Sequence, residues 1–376
     1  MNEKEIAELR RRFRPDKSGI TCVLGCYVNE NGEIVSRFRQ SLGAMSAEEG
    51  EKLLALLKRT LSGTPGRNLL DITFETAQVV DGPEHRRLMA LRDSALEDEG
   101  AVEDFFQTVI RSAPLEGNYL ILLARDTYDV PYRGRDGAEQ ADASEEVFTY
   151  LVCALCPVKQ TKPALSYYPV ENQLHNRGVD DLLSPPALGF LFPAFDDRST
   201  NLYGALYYTR DGEDNHPDFV EAVFHTPAPM PAQAQMETFQ ALLGESLEEE
   251  GSYEVVQAIR DQLRERVEAY KSAREEEPLA VSRQEVGQVL SACGVAQTHI
   301  AAFEQRYDEA FGPGTRLAPQ NLLDIRKLEV RTPSVTIQVD PDRGDLVETR
   351  VIDGVRYILI RADEGVRVNG VDIQIS

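Results

Sequence analysis

The chain has no long hydrophobic run. Nothing in it approaches the roughly 20 apolar residues of a membrane-spanning helix. Cysteine is scarce, five in 376 residues, which fits a reducing compartment and free, mostly buried thiols rather than a disulfide framework. Positive charge is short: 40 Lys and Arg face 63 Asp and Glu, a formal net charge of -23. Such a surface repels DNA, RNA and anionic lipid within the Debye length, so any nucleic-acid contact needs a local basic patch. Met1 to Arg12 is charged and holds no apolar signal-peptide stretch, so a cytoplasmic protein without membrane contact is expected. Short catalytic signatures are also missing. There is no phosphate-binding GxxxxGKS or GxxxxGKT, no GxGxxG after a strand, no GxSxG and no HExxH.

What is present reads as a folded globular chain, 42% hydrophobic and 27% charged, of a length that implies two or three domains. Local signals mark its elements. Asn2 with Glu5, Ser46 with Glu49 and Ser282 with Glu285 are capping-box pairs, each ahead of apolar residues at helical spacing. Helical stretches are expected over His85 to Arg111 and Met236 to Glu277, and from Ile300 to a stop at Gly312. Ile20 to Val28, Asn118 to Ala124, Val147 to Val158, Gly189 to Phe195 and Leu202 to Thr209 read as strands, with Glu33 to Arg39 returning after Asn31-Gly32. Tyr132 to Ser144 is polar and reads as a loop; Pro217 to Pro231 carries several prolines and reads as a linker. Asp353-Gly354 and Asn369-Gly370 are two-residue hairpin signatures, the second joining Val366–Val368 to Val371–Ile375. The expected fold is α+β: an N-terminal strand and helix region (1–114), a central largely antiparallel sheet (115–231), a helix-rich segment (232–314) and C-terminal antiparallel hairpins (315–376).

Three groups of residues carry potential chemistry. Asp126, Asp129, Asp196, Asp197 and Arg198 follow two strands; if those strands are neighbours, the carboxylates share one sheet edge. Such a cluster could bind Mg²⁺ or do acid-base work, with Arg198 fixing a phosphate or carboxylate. The plainer reading is that these aspartates cap turns and pair with Arg125 and Arg198. Cys22, Cys26, Cys153 and Cys156 could supply four thiolates to zinc. Positions three apart on a strand face opposite ways, however, so Cys153 and Cys156 read more simply as small core residues; Cys293 reads as core of a helix. The histidines His85, His175, His216, His225 and His299 are scattered, with solvent or turn roles expected. The one basic cluster, Arg10, Arg11, Arg12, Arg14 and Lys17, is either a solvated helix face or a nucleic-acid or partner contact.

Ile20 to Val28, Thr60 to Leu70 (TLSGTPGRNLL), Asn118 to Pro131 (NYLILLARDTYDVP), Gly189 to Thr200 (GFLFPAFDDRST) and Asp345 to Gly370 together resemble the bacterial family called domain of unknown function 4317. That resemblance runs along essentially the whole chain and implies no activity. In the order of its elements, and most in the tail pattern TPSVTIQVDP followed by VIDGVRYILI, the chain also resembles the nucleoid-associated NdpA-like family. This second resemblance implies binding to chromosomal DNA or to DNA-associated machinery, without residues to carry over. The expected function is a non-enzymatic binding or scaffold protein, possible partners being another protein, a second copy, or nucleic acid through Arg10–Arg14. The alternative is a metal-dependent hydrolase or phosphoryl-handling enzyme built on the aspartates. No cofactor is expected apart from the divalent metal of that alternative.

Overall fold

The computed structural model describes residues 1–113, 115–133, 139–273, 279–362 and 365–374. The chain divides into two compact units, the first covering Met1–Ala232 and the second beginning at Gln233.

The first unit is a sheet with helices on both faces. Its elements run α1 (Glu3–Arg10), β1 (Cys22–Val28), β2 (Ile34–Ser41), α2 (Ala47–Lys58), β3 (Leu69–Thr73), α3 (Thr76–Asp81), α4 (Pro83–Asp93), α5 (Glu99–Ser112), β4 (Tyr119–Arg133) and β5 (Glu139–Gln160). There follow β6 (Ala164–Tyr168), β7 (Gln173–Arg177), β8 (Asp181–Leu183), β9 (Leu188–Phe192), β10 (Ala194–Asp196), β11 (Ser199–Asn201), β12 (Gly204–Thr209) and α6 (Pro217–Phe224). The main sheet has the order β2-β1-β4-β5-β9-β12-β3, all neighbours antiparallel, with β8 added beside β5. Strands from before position 114 thus share one sheet with those after it.

Alternate side chains of each strand feed two cores. Leu24, Cys26, Ile121, Cys153, Phe190 and Tyr207 pack under α4, α5 and α6. Val23, Leu122, Tyr150, Val152, Leu191 and Leu206 pack under α1 and α2. Because both faces are covered, β9 and β12 are buried at every position, which is why they read as unbroken apolar runs.

All three capping boxes form as the spacing predicts. Asp353-Gly354 and Asn369-Gly370 turn their hairpins with positive φ at both residues. Several expectations are corrected. The helical stretch from His85 breaks at Ala95 and Leu96, both at positive φ, into α4 and α5. Backbone pairing continues through most of the expected Tyr132–Ser144 loop, since a two-stranded ribbon needs only main-chain hydrogen bonds; its tip, 134–138, lies outside the described residues. The proline-rich linker contains α6: Pro217 sits at its first turn, and Phe219, Val220, Val223 and Phe224 form a buried stripe.

The second unit contains α7 (Ala232–Leu247), α8 (Tyr253–Ala273), α9 (Arg283–Ala292) and α10 (Gln297–Phe311). Phe239, Leu243, Ile259, Leu290, Phe303 and Tyr307 form its core. The helical pattern expected to Glu277 gives α7 and α8, and its final residues lie outside the described set. Cys293 is exposed rather than core, because it caps the end of α9 beyond the buried stripe of Val286 and Leu290. Three separate hairpins follow: β13 (Leu328–Arg331) with β14 (Thr336–Val339), β15 (Val347–Ile352) with β16 (Val355–Ile360), and β17 (Val366–Val368) with β18 (Val371–Ile373). Ile375, expected at the end of the last strand, lies outside the described residues. Among the described residues no helix is long and apolar enough to cross a membrane.

Candidate functional site

The aspartates singled out from the sequence divide among different environments. Asp126 points inward from β4 and is 1% exposed. Its Oδ1 accepts the backbone N–H groups of Gly19 and Thr127, each at 2.8 Å, and its Oδ2 accepts the Tyr150 hydroxyl at 2.8 Å. Arg12 on the segment after α1 comes within 3.7 Å of the same carboxylate. Burial pushes the Asp126 carboxyl above the ordinary range, against the opposing pull of Tyr150, Arg12 and the two amides. Asp129, three residues on, is exposed, as the two-residue period of a strand requires.

Asp196 ends β10. It accepts from Asn201 at 2.6 Å and lies 2.9 Å from the Met1 amino group. Asp197 and Arg198 then form a two-residue turn between the paired residues Asp196 and Ser199, with φ of 51° and 58°. Two positive φ values define a type I′ turn, where glycine or asparagine is usual. Arg198 is held there by its side chain. Its Nη2 donates to the Glu8 carboxylate at 3.2 Å and to the Pro131 carbonyl at 2.8 Å. Glu8 also accepts the Tyr128 hydroxyl at 2.7 Å, and the Arg12 guanidinium lies 4.7 Å from the centre of the Tyr128 ring.

Asp126 and Arg198 therefore belong to one buried polar network, joined by Arg12, Tyr128 and Glu8, while Asp129 and Asp197 lie outside it in solvent. Burial pushes the Tyr128 hydroxyl up to about 12 and Tyr150 well above its ordinary value, so both remain donors to their carboxylates. Glu146 terminates the turn on the other side, accepting from Ser199 Oγ and Thr200 N–H; burial acts to raise its carboxyl, but these bonds hold it below the ordinary value. The chemistry of this arrangement is mutual satisfaction: each charge meets a counter-charge or aligned donors, and the product is attachment of α1 to the sheet. Glu8, Tyr128 and Tyr150 carried no sequence signal, because their partners are 190, 120 and 24 residues away.

The cysteines scatter. Cys26 and Cys153 face the core under α4–α6, and Cys156 the core under α1 and α2. Cys26 and Cys153 sit on β1 and β5 with β4 between them and are two residues out of register, so they are more than two strand spacings apart, over ~9.6 Å, too wide for one zinc ion. Cys22 is half-buried at the start of β1. Among the described residues no three His, Cys, Asp or Glu side chains are grouped to hold a metal ion. His85 is buried rather than solvent-facing: it lies on the sheet side of α4, meets the Leu202 carbonyl at 2.9 Å and packs edge-on against Phe74 and Phe192.

The basic cluster is partly consumed internally. Arg10 Nε donates to the Leu61 carbonyl at 2.5 Å, and Arg12 Nη2 to the Thr127 carbonyl at 3.3 Å. Arg14 pairs with Asp16 at 3.0 Å.

A different surface carries the unspent groups. On the C-terminal hairpins Val351, Val355, Ile360, Val368, Val371 and Ile373 are exposed. At the root of β15–β16 an open concavity of about 500 Å³ is lined by Leu346, Val347, Leu359 and Ile360 together with the charged Glu348 and the Asp345–Arg361 ion pair. Exposed apolar strand residues beside an open hollow of mixed apolar and charged lining fit the docking of an extended peptide or a protein surface.

No curated protein matches the chain. A family model described as domain of unknown function (DUF4317) matches residues 1–371, and the chain belongs to that family.

Proposed function

We propose that this member of the domain of unknown function 4317 family is a non-enzymatic binding or scaffold protein whose partner is another protein, received on its C-terminal hairpins. The observation that carries the reading is the state of β13–β18. These strands form three two-stranded hairpins with exposed apolar side chains. A lone hairpin is marginal in water, and a third strand or a covering surface stabilises it. The internal engagement of Asp126, Glu8 and Arg198 supports the non-enzymatic side of the reading, because groups tied to structural partners are poorly placed to act on a substrate.

Association with the nucleoid, implied by the NdpA-like resemblance, would on this reading run through a protein. The net charge of -23 opposes direct phosphate contact, and Arg10 and Arg12 are engaged internally.

The test compares the tagged full chain with its Val351→Asp, Ile360→Asp double variant, cross-linked in the cells that make it. Loss of specific partners from the variant alone, with unchanged thermal unfolding, is expected. Identical partner sets would overturn the surface assignment. A low-salt mobility shift on duplex DNA that disappears when Arg11 and Arg14 are neutralised would replace the protein partner with DNA.

A further inference from the structure

The first unit carries a protrusion that its own core does not use. After Gln160 the chain leaves the sheet, forms the β6–β7 hairpin and returns as β8 on β5. The base is closed by Gln160 opposite Asp181 and by the Thr161 N–H to Asp180 carbonyl bond at 2.9 Å. The protrusion is thus a fastened feature, a two-stranded hairpin with no third strand among the described residues and with an apolar face. Opposite residues of an antiparallel pair share a face. Leu165 opposes Asn176 and Tyr167 opposes Leu174, so Leu165, Tyr167 and Leu174 lie together. They are 68%, 55% and 61% exposed, and Val170 at the tip is 99% exposed. Leu182 and Leu183 on β8 are also exposed.

We propose that this hairpin and β8 are the self-association surface of the protein, packing face to face against the same elements of a second copy. Two observations choose a second copy. The first is area. Leu165, Tyr167 and Leu174, with Val170 at the tip, expose on the order of 100 Å² each, so roughly 400 Å² of apolar surface, about the apolar share of the ~800 Å² that one partner contributes to an interface of standard size. The second is charge. From Lys159 to Leu183 there are three basic residues, Lys159, Lys162 and Arg177, and three acidic ones, Glu171, Asp180 and Asp181. Arg177 and Asp180 pair at 3.0 Å. The patch is electrically neutral on a chain of net charge -23, so two copies meet here without the repulsion that opposes contact elsewhere. A two-fold axis lets the apolar face cover its own equivalent.

The test is the mass of the full-length chain by sedimentation and light scattering up to about 100 µM. Wild type is expected to be a dimer. The Leu165→Arg, Leu174→Arg double variant is expected to be a monomer, at least ~100-fold weaker in self-association, because each substitution enters the interface twice. Its circular dichroism and melting temperature should match wild type, since neither residue touches a core. Mixing a Leu174→Arg chain with a Leu174→Glu chain should restore a dimer that neither forms alone. A monomeric wild type, or a double variant that dimerises as wild type does, overturns the proposal. The Val351→Asp, Ile360→Asp chain should remain a dimer, which separates this surface from the partner site of the second unit.

Discussion

Replacing Asp126 separates the role of its shape from the role of its charge. In Asp126→Ala the Tyr150 hydroxyl loses its acceptor in a place water does not reach, the half-buried bond from the Gly19 N–H is lost, and Arg12 loses its nearby carboxylate. Each buried unsatisfied group costs ~1–3 kcal/mol, and breaking a buried charged set typically costs ~3–5 kcal/mol, so about 4 kcal/mol is expected. For a unit of this size that lowers the melting temperature by roughly 8–16 °C. Asp126→Asn keeps an oxygen for the two amides and a polar atom beside Tyr150, sacrificing one hydrogen bond, about 1 kcal/mol.

The two proteins should also differ with pH. Burial raises the Asp126 pKa in the fold, so its contribution to stability is full below the unfolded value of 3.8 and is lost as pH rises through the folded value. The asparagine does not titrate. The deficit of Asp126→Asn should therefore be smallest near neutrality and widen as pH falls towards 4. Denaturant titrations at pH 4, 5.5 and 7 measure it. An asparagine variant as unstable as the alanine variant at pH 7 would refute this account, because the charge rather than the acceptor geometry would then be what the fold requires.

Arg198→Ala should lower stability by about 2–3 kcal/mol through the deprived Glu8, and Arg198→Gly by ~1 kcal/mol less, since glycine relieves the positive φ; chemical denaturation of both variants checks the order. At Gly189 an added Cβ would lie 2.5 Å from the Cys153 carbonyl oxygen and 2.6 Å from a Thr60 methyl, so Gly189→Ala should destabilise the first unit by ~1–3 kcal/mol or more, read as a lower melting temperature. Burial pushes the Cys26 thiol up to about 11 and Cys156 up to about 12, whereas Cys293 is exposed; a thiol reagent at pH 7.5 should modify Cys293 fast in the native protein and all five cysteines after denaturation. Quick native reaction at Cys153 or Cys156, located by peptide mapping, would mean that the sheet opens.

The elements legible in the sequence are those specified by neighbours in the chain. Ser46 and Glu49 meet across one helical turn, and Asp353-Gly354 adopts a tight turn by its own backbone preferences, so pattern and structure agree. The strand assignment of Cys153 and Cys156 predicts their divergence, and they do feed different cores. A turn at Asp197-Arg198 was legible, but not its left-handed form, because arginine in that position is tolerated only when distant groups, Glu8 and the Pro131 carbonyl, hold it. β3 gave no usable signal, being five residues long and placed by its pairing with β12.

Local chemistry in the sequence thus determined the capping boxes, the tight turns, the buried central strands, the acidic surface and the α+β class. Tertiary structure alone decided that β1 and β4 are neighbours, that Asp126 serves Gly19 and Tyr150, and that the hairpins at 164–177 and 328–373 keep apolar side chains in solvent. The physical reason is the range of the interactions. A helix cap or a two-residue turn is settled by energies among adjacent residues, whereas the use of a carboxylate or an apolar face depends on which remote segment the folded chain brings to it.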